Sequence, residues 1–331
     1  MRHFAVGKAL VALGAIASLL ALAMPARAQS YPNRPITIVS PFAAGGPSDA
    51  VTRVIAQSLA EKLGQTVLVD NTAGAGGTIG TTKVARAAPD GYMLLLHHIG
   101  HATSVALYTK LPYSPLDDFA PIGMVAVVPN VISTKKDLKL ENIAALVDYL
   151  RRNASTVIVG DAGNGSASQL CHLLLAETFG VKRFESVSYK GTAPAINDLL
   201  SGQYDMLCDL VSIISTYIQS GRLNGYAVTT VEKVPTLPQL PTLDASGYPG
   251  FDLSTWYGLY APAGTPEPII ARLSEALAQV LQDPQVKARL EPLGAEPYPV
   301  SQATPAALRS YLKAEIERWT KILRAAGVQP N

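Results

Sequence analysis

Residues 36–63 have the sequence ITIVSPFAAGGPSDAVTRVIAQSLAEKL. The β-branched run Ile36–Ser40 predicts a buried strand, and apolar residues within Ala50–Leu63 recur at the spacing of an amphipathic helix that ends at Gly64. Between them, Pro41–Asp49 contains two adjacent glycines and a proline suited to the first helical position. A strand that enters a helix through such a loop leaves backbone N–H groups at the positive end of the helix dipole. The segment therefore predicts a site for a small anion.

The first 28 residues have the pattern of a cleavable secretory signal. Basic residues precede the apolar run Ala9–Met24, and Ala26-Arg27-Ala28 matches an A-x-A cleavage site. The apolar run is too short for a comfortable membrane span. We therefore expect residues 1–28 to be a signal peptide and Gln29 to be the first residue of the exported chain.

Removal of the signal changes the charge balance. The full chain has 27 Lys and Arg residues against 25 Asp and Glu residues. The signal contains three of the basic residues and none of the acidic ones, so the mature chain is nearly neutral. A neutral chain without a basic stripe predicts no nucleic-acid partner and no attraction to an anionic membrane surface.

Beyond Leu63, predicted strands and helices alternate in two series, which indicates an α/β fold built on parallel strands. The second series begins near Ile143 and ends in a loop rich in proline and glycine, Pro235–Phe251. A strand from Ser254 and the C-terminal helices follow, and we expect these helices to pack on the first series. We thus predict one domain of residues 29–130 with 254–331 and a second of residues 131–253. The two chain crossings between them would form a hinge.

Three glycine-rich loops each follow a predicted strand and precede a predicted helix: Pro41–Asp49, Ala73–Thr78 and Gly160–Ser168. Open α/β sheets bind ligands at the carboxyl ends of their parallel strands. Turn formation alone explains one such loop, whereas three loops in two domains favour a binding site. None contains Lys or Arg, so backbone N–H groups and uncharged side chains would hold an anion. The side chains available are Ser48, Thr78, Asn164, Ser166 and Ser168.

Two other functions stay open at this point. His97, His98 and His101 follow the third predicted strand and could ligate zinc in a metal-binding receptor, although no nearby acidic residue supplies a fourth ligand. We prefer the interpretation in which one histidine packs locally and His98 faces the cleft as a hydrogen-bond donor. A secreted hydrolase is the other alternative, but Gly163-x-Gly165-Ser166 is not the G-x-S-x-G nucleophile pattern. No cofactor is predicted, because the glycines after the second strand do not match the dinucleotide fingerprint.

Cys171 and Cys208 are the two cysteines of the chain. In an oxidising compartment they could form a disulfide that stabilises the fold by roughly 4 kcal/mol on the chain-entropy estimate. The alternative is a pair of buried free thiols.

Two further positions are also undecided: Tyr257 either lines the cleft or fills the core, and Asp209 either faces the cleft or caps the next helix.

Nine motifs spread over the mature chain carry a family resemblance. They are YPxRPI at 31–36, PFxxGGxxD at 41–49, GQxVxVDN at 64–71, GAGG at 74–77, APDGY at 88–92, LPY at 111–113, GNGS at 163–166, YKGTAP at 189–194 and APAGTP at 261–266. Together they resemble the Bug-type receptors, the periplasmic solute receptors of tripartite tricarboxylate transporters. The resemblance implies an α/β two-lobed periplasmic-binding-protein fold (Venus flytrap, type II) with a hinge and an interlobe cleft. It also implies a periplasmic location and delivery of the ligand to the membrane components of such a transporter.

The resemblance further implies how the ligand is held. In the family, loops matching Phe42–Ser48 and Gly163–Ser168 hold a ligand carboxylate, largely through backbone groups and ordered waters. The residues assigned to ligand binding here are Phe42, Ala43, Ala44, Gly45, Gly46, Ser48, Gly74, Gly76, Thr78, His98, Asn164, Gly165, Ser166, Ser168, Thr192, Ala193 and Asp209. Pro47 and Asp161 stand where the family commonly has small residues. The ligand therefore stays open among dicarboxylates, tricarboxylates, aromatic acids and acidic amino acids, and we expect a monomer without enzymatic activity.

Overall fold

The computed structural model describes residues 31–328 and residue 330, so the predicted signal peptide lies outside the described residues. The strands are β1 (Ile36–Ser40), β2 (Val67–Asn71), β3 (Met93–His98), β4 (Phe119–Lys135), β5 (Ile158–Asp161), β6 (Glu185–Ser188), β7 (Met206–Leu210), β8 (Leu223–Val228), β9 (Ser254–Pro262) and β10 (Glu296–Pro297). The helices are α1 (Pro47–Leu63), α2 (Thr78–Ala85), α3 (Gly100–Leu107), α4 (Ile143–Arg152), α5 (Ala167–Thr178), α6 (Thr192–Leu200), α7 (Val211–Gln219), α8 (Glu267–Gln282), α9 (Pro284–Leu290) and α10 (Pro305–Ala325). No helix among the described residues is both long and apolar enough to cross a membrane.

The predicted first unit is confirmed. Strand β1 spans the predicted residues, and its Ile36 and Ile38 are fully buried. Helix α1 starts with Pro47 in its first turn and ends at Gly64, whose φ of 65° is the left-handed conformation expected of a C-cap glycine. Its predicted apolar stripe faces the core, where Ile55 is fully buried.

Strand β4 belongs to two sheets. Its residues Phe119–Pro129 pair with β9, and its residues Asn130–Lys135 pair with β7 and β8. The first sheet has the order β2-β1-β3-β9-β4-β10, and the second has the order β6-β5-β7-β4-β8. The long apolar stretch around Val125–Ser133 is therefore one continuous strand that links the sheets.

The predicted parallel strands are confirmed within each series, whereas the strands that link the two series are antiparallel. Strand β1 is parallel to β2 and β3, and β5 is parallel to β6 and β7. Strands β4 and β9 are antiparallel to each other, and β9 is antiparallel to β3. Ser254 pairs with Pro129, far away in the chain, and local sequence patterns do not encode the direction of such a pairing. The parallel sets still bring the loops after β1 and β2 to one sheet edge.

The C-terminal helices pack on elements of the first series, as expected. Helices α8 and α9 contact α1, and α10 contacts α3 and β4. Helix α10 also presents Glu315, whose Oε2 accepts hydrogen bonds from the indole N–H groups of Trp256 and Trp319, each at 3.0 Å. The domain boundaries at residues 130 and 253 stay a prediction.

A disulfide joins Cys171 and Cys208, with their Cα atoms 6.0 Å apart. Of the two alternatives left by the sequence, the structure thus contains the bonded form. The bond links α5, which starts after the third glycine-rich loop, to β7 next to Asp209. Both sulfur-bearing residues are fully buried.

Candidate functional site

The loop between β1 and α1 presents backbone donors at the helix start. Gly45 has a φ of 79°, which favours glycine, and its N–H donates to the Asp49 carboxylate at 2.8 Å. The N–H groups of Ala43, Ala44 and Ser48 have no hydrogen-bond partner among the described residues. These groups remain available to an anion.

Asp49 organises this loop. Besides Gly45, its carboxylate accepts hydrogen bonds from Arg53 Nε at 3.0 Å and from Asn71 Nδ2 at 3.0 Å. The same Asn71 amide donates to the carbonyl of Phe42 at 3.2 Å. Burial acts to raise the pKa of Asp49, but these hydrogen bonds lower it below its usual value. The carboxylate therefore stays ionised, and Gly45, Arg53 and Asn71 already supply its donors.

The second loop has an unusual run of left-handed backbone. Gly74, Ala75, Gly76 and Gly77 all have positive φ, and Ala75 does so without being glycine. The hydroxyls of Thr78 and Tyr108 both donate to the carbonyl of Ala75, at 2.9 and 2.8 Å. The predicted ligand residue Thr78 thus already has a partner within its own loop.

Phe42 and His98 stack at the centre of the site. Their ring centroids lie 4.3 Å apart with 17° between the planes. His98 Nδ1 accepts a hydrogen bond from the Gly100 N–H at 2.8 Å, which assigns the ring proton to Nε2. Burial lowers the pKa of His98 to about 3. His98 is therefore a neutral ring at pH 7, and its Nε2–H has no acceptor among the described residues.

The other two histidines do not build a metal site with it. His97 Nδ1 bonds to the His98 carbonyl at 3.1 Å, and His101 packs among aromatic rings, with centroids 4.9 Å from those of Phe119 and Tyr260. Burial also lowers the pKa of His97 well below its usual value and that of His101 to about 3. Within residues 31–328 and 330, no group of three His, Cys, Asp or Glu side chains is placed to hold a metal ion.

The third loop leads from β5 into α5. Ser166 caps the helix and accepts from the Gln169 N–H at 3.2 Å, while Ser168 accepts from the Ala162 N–H at 2.8 Å. The Gly165 N–H donates to the Gln169 side chain at 2.8 Å. These predicted site residues therefore order the loop. Asn164 differs, because its Nδ2 is buried without a partner among the described residues.

Asp161 and His172 form a buried pair behind this loop. Asp161 Oδ2 lies 3.3 Å from His172 Nε2 and accepts from the Ser188 hydroxyl at 3.0 Å, while Oδ1 accepts from the Gly163 N–H at 2.8 Å. All the oxygens of Asp161 are thus used. His172 is itself buried and has Asp161 as its partner.

The second and third loops lie against each other, although they follow strands of different sheets. A Cβ added to Gly76 would come 3.1 Å from the carbonyl oxygen of Asn164. One added to Gly165 would come 3.1 Å from Leu107 of α3. Glycine suits Gly76 because the Asn164 carbonyl approaches it closely, and both positions have a positive φ, which favours glycine.

Tyr257 on β9 and Asp209 on β7 complete the cluster. The Tyr257 hydroxyl is 3.4 Å from the Ser48 hydroxyl, and its ring is 6.0 Å from that of His98. Burial raises the pKa of Tyr257 to about 12, and the charge of Asp209 acts in the same direction, so the two groups are within electrostatic reach. Thr192, the first residue of α6, also interacts with the Asp209 side chain. The structure therefore brings together predicted residues of the first loop, β3, β7 and α6.

The sequence does not place two buried polar residues. Tyr257, for which the sequence allows both the cleft and the core, has its hydroxyl 3.4 Å from that of Ser48. Asn130 was missed: it is fully buried where β4 changes partners, and neither its Nδ2 nor its Oδ1 has a partner among the described residues. An amide inside the apolar run VAVVPNVIS was the available signal, since such a group rarely lies unpaired in a strand core.

An open groove of about 630 Å³ lies elsewhere, between α5, residues 247–252 and α10. Arg318 lines it and donates to the Asp252 carbonyl at 3.1 Å. None of the predicted site residues lines this groove.

Comparison with known proteins identifies the family. The family model described as "Tripartite tricarboxylate transporter family receptor" (TctC) matches residues 51–328. This chain belongs to the TctC receptor family. A TctC relative from Agrobacterium vitis, named "UPF0065 protein in the TAR-I ttuE-ttuC' intergenic region", is 48% identical over 298 residues, which cover 90% of this chain and 86% of that protein.

Two solved structures are similar over nearly the whole TctC chain. The periplasmic binding protein BugD has a TM-score of 0.83 and 46% identity, with 91% of this chain and 100% of that chain covered. MatC from Rhodopseudomonas palustris, solved with bound malate, has a TM-score of 0.80 and 37% identity, with 88% and 100% covered. The Bug-type resemblance and the two-lobed α/β periplasmic-binding-protein fold are thus confirmed. The chain is a periplasmic solute-binding receptor of this family, whose members are solute-binding proteins rather than enzymes.

Proposed function

We propose that this TctC receptor binds a small carboxylate among the loops after β1, β2 and β5, closes around it by hinge bending, and catalyses no reaction. The observation that carries the proposal is the set of unpartnered N–H groups of Ala43, Ala44 and Ser48 at the start of α1. They share the site with the neutral donor His98. Donors of this kind hold an anion without a cationic side chain.

The expected affinity follows from the number of donors. Each hydrogen bond to a charged acceptor contributes roughly 1.5–3 kcal/mol, so four or five of them support a dissociation constant of about 1 μM after the ordering cost. The loops around Gly46, Gly76 and Gly165 would supply these donors from both sheets. Ser166 and Ser168 form hydrogen bonds within their loop. They would orient the backbone of this loop towards the ligand.

We assign the lobes as residues 29–130 with 254–331 and residues 131–253. The change of pairing partners in β4 after Pro129 supports a hinge at that point. The family description supports delivery of the ligand to the membrane components of a tripartite tricarboxylate transporter. The monomeric state of the receptor is part of the proposal. The malate held by the related MatC structure supports a carboxylate as ligand.

The two rival functions lack support in the site. A metal receptor would need a third ligand that converges with the histidines, and the described residues provide no such group. A hydrolase would need a serine activated by a histidine, but the Ser166 and Ser168 hydroxyls lie 3.1 Å from each other and bond within the loop. We therefore propose neither.

A panel of carboxylic acids tested by thermal shift and calorimetry decides the proposal. Gly46→Leu is the informative variant, because Gly46 has an ordinary φ of −84° and an added Cβ meets only the Ala43 carbonyl, at 3.4 Å. The fold should persist while the larger side chain blocks the N–H groups of the loop. Ala88→Leu, which introduces the same side chain at an exposed position, is the control. Loss of binding in Gly46→Leu alone supports the site, and unchanged affinity in both variants contradicts it.

A further inference from the structure

Asp209 has one carboxylate oxygen that nothing in the described part of the chain satisfies. The residue is 2% exposed. Its Oδ1 accepts from the Leu210 N–H at 2.7 Å, whereas Oδ2 is buried and has no hydrogen-bond partner. The ion pairs found among residues 31–328 do not include it. A buried acceptor without a donor is unfavourable, and such groups are rare unless a ligand or water completes them.

The groups around Asp209 leave this oxygen to the ligand. Tyr257 and Asp161 are within electrostatic reach. The Thr192 hydroxyl lies near enough to lower the pKa of the carboxyl group, but it makes no hydrogen bond to Oδ2. The oxygens of Asp161 are filled by Gly163, Ser188 and His172, so Asp209 is the open acceptor of the pair. Burial raises the pKa of Asp209 to about 6, and the charge of Asp161 adds to the rise.

We propose that Asp209 Oδ2 accepts a hydrogen bond from a hydroxyl or ammonium group of the ligand, so that the site selects carboxylic acids that carry such a donor on their carbon chain. This inference rests on the proposed carboxylate-binding function and names the subclass of ligand. The donors at the start of α1 and His98 hold the carboxylate end. Asp209, on the other sheet, accepts the hydrogen bond from the hydroxyl or ammonium substituent.

Discrimination arises because an unsubstituted acid leaves Oδ2 unpaired. The oxygen is already buried and unpaired in the structure, so an unsubstituted acid brings it no partner, whereas a hydroxyl or ammonium group donates to it. A hydrogen bond to a charged acceptor corresponds to about 10- to 100-fold in affinity. An ammonium group gains further from the two negative charges of Asp161 and Asp209.

The test uses acids that differ only in this substituent. Succinate, malate and aspartate form one matched set, and adipate, 2-hydroxyadipate and 2-aminoadipate form a longer one. Calorimetry of the wild-type protein at about pH 8 should give at least about 10-fold tighter binding of a substituted acid than of its unsubstituted parent. The malate and aspartate arms distinguish a hydroxyl from an ammonium ligand.

Asp209→Asn then tests the residue. The asparagine oxygen can keep the bond to the Leu210 N–H. The amide N–H₂ group, a donor, then faces the ligand in place of the acceptor Oδ2, so the preference for substituted acids should disappear or reverse. Asp148→Asn, at an exposed position of α4, is the control and should keep the wild-type preference. If Asp209→Asn does not fold, the wild-type preference measured from about pH 8 to about pH 5.5 replaces it, because protonation of Asp209 below its raised pKa should weaken the discrimination.

The outcomes separate the two proposals. Equal binding of substituted and unsubstituted acids by the wild-type protein overturns the role of Asp209 and leaves the carboxylate receptor standing. A preference that survives in Asp209→Asn, or that does not change with pH, also overturns it. Binding of none of the six acids overturns the role of Asp209, and binding of no acid in the wider carboxylic-acid panel overturns the carboxylate function as well.

Discussion

The rings of Phe42 and His98 stack in parallel, with centroids 4.3 Å apart, and join the loop after β1 to the end of β3. The Tyr257 ring of β9 lies 6.0 Å from the His98 ring, in an edge-to-face arrangement. The stack holds His98 in a dry environment, and the Gly100 N–H fixes its tautomer. The consequence is a histidine that donates from Nε2 without carrying charge.

The buried histidines predict a strong loss of stability in acid. Burial holds the pKa of His98 and of His101 at about 3 and that of His97 well below its usual value, so the folded protein leaves them neutral while the unfolded chain protonates them below about pH 6.5. The unfolded state then binds more protons, and stability falls as the pH falls from about 6.5 towards 3. Asp209, with its pKa raised to about 6, opposes this by one proton. The net slope near pH 5 is about 3 kcal/mol per pH unit.

Urea unfolding between about pH 7 and pH 4.5 measures how the free energy of unfolding changes with pH. The variant His101→Phe removes the contribution of one histidine to this pH dependence. Both ring nitrogens of His101 lack hydrogen-bond partners among the described residues, although the nearby Pro115 carbonyl acts to raise its pKa slightly. The ring is surrounded by aromatic side chains, which suit phenylalanine. The variant should reduce the slope by about 1.4 kcal/mol per pH unit, whatever its stability at neutral pH. A wild-type free energy of unfolding that does not change over this range would contradict the assignment of neutral histidines.

The disulfide predicts a redox-dependent stability. Cys171 and Cys208 are 37 residues apart in the sequence, and closing a loop of that length stabilises the fold by about 4 kcal/mol. Chemical unfolding with and without a reductant should differ by about 2–4 kcal/mol in the wild-type protein. The double variant Cys171→Ala with Cys208→Ala should be equally stable under both conditions, at the lower value. Identical unfolding of oxidised and reduced wild-type protein would show that the bond contributes nothing.

The buried hydrogen bonds of Glu315 should also contribute to the free energy of unfolding. Its Oε2 accepts from both Trp256 and Trp319, and its Oε1 accepts from Arg318 at 3.2 Å. Glu315→Leu leaves two buried indole N–H groups without an acceptor and should lower the free energy of unfolding by about 3 kcal/mol. Glu315→Gln keeps one acceptor oxygen and should cost less. Equal stability of the two variants in urea unfolding would mean that the indole bonds are not the source of the effect.

The sequence predicted the first strand and helix well because their signals are local. Ile36–Ser40 is a bounded β-branched run, and Gly64 marks the end of α1. Helix α3 was missed because GHATSVAL is short and starts with glycine, and because no side chain caps its first turn. Its stability comes from packing against α10, a contact between residues about 200 positions apart that no local pattern shows.

In the candidate site, too, the features with local signals could be predicted and those that depend on distant contacts could not. The glycine loops were found because positive φ and helix starts demand particular residues, and Gly45, Gly76, Gly163 and Gly165 do have positive φ. Tyr257 and Asn130 could not be placed, because the face of a buried strand that meets the loops depends on how β4 and β9 pair. The use of Ser166 and Ser168 within their own loop was likewise invisible, since capping and ligand binding call for the same residue types.

Gly76 and Gly64 provide a matched test of the contact between the second and third loops. Both have left-handed backbones, with φ of 62° and 65°, so alanine costs each about 1–2 kcal/mol of stability. A Cβ on Gly64 meets nothing within 4 Å. A Cβ on Gly76 would clash with the Tyr108 hydroxyl and come 3.1 Å from the Asn164 carbonyl, so the loops would have to separate.

The melting temperature should therefore fall for both alanine variants. Carboxylate affinity measured by calorimetry, in contrast, should fall at least about 10-fold only in Gly76→Ala. Adding Tyr108→Phe to Gly76→Ala removes the clashing hydroxyl, so any affinity that returns measures the part due to Tyr108, and the remainder measures the approach to Asn164. Because Gly64→Ala carries the same backbone strain, it controls for destabilisation alone. If Gly76→Ala binds the ligand as tightly as Gly64→Ala, contact between these loops is not required for binding, and closure must be achieved by other parts of the two sheets.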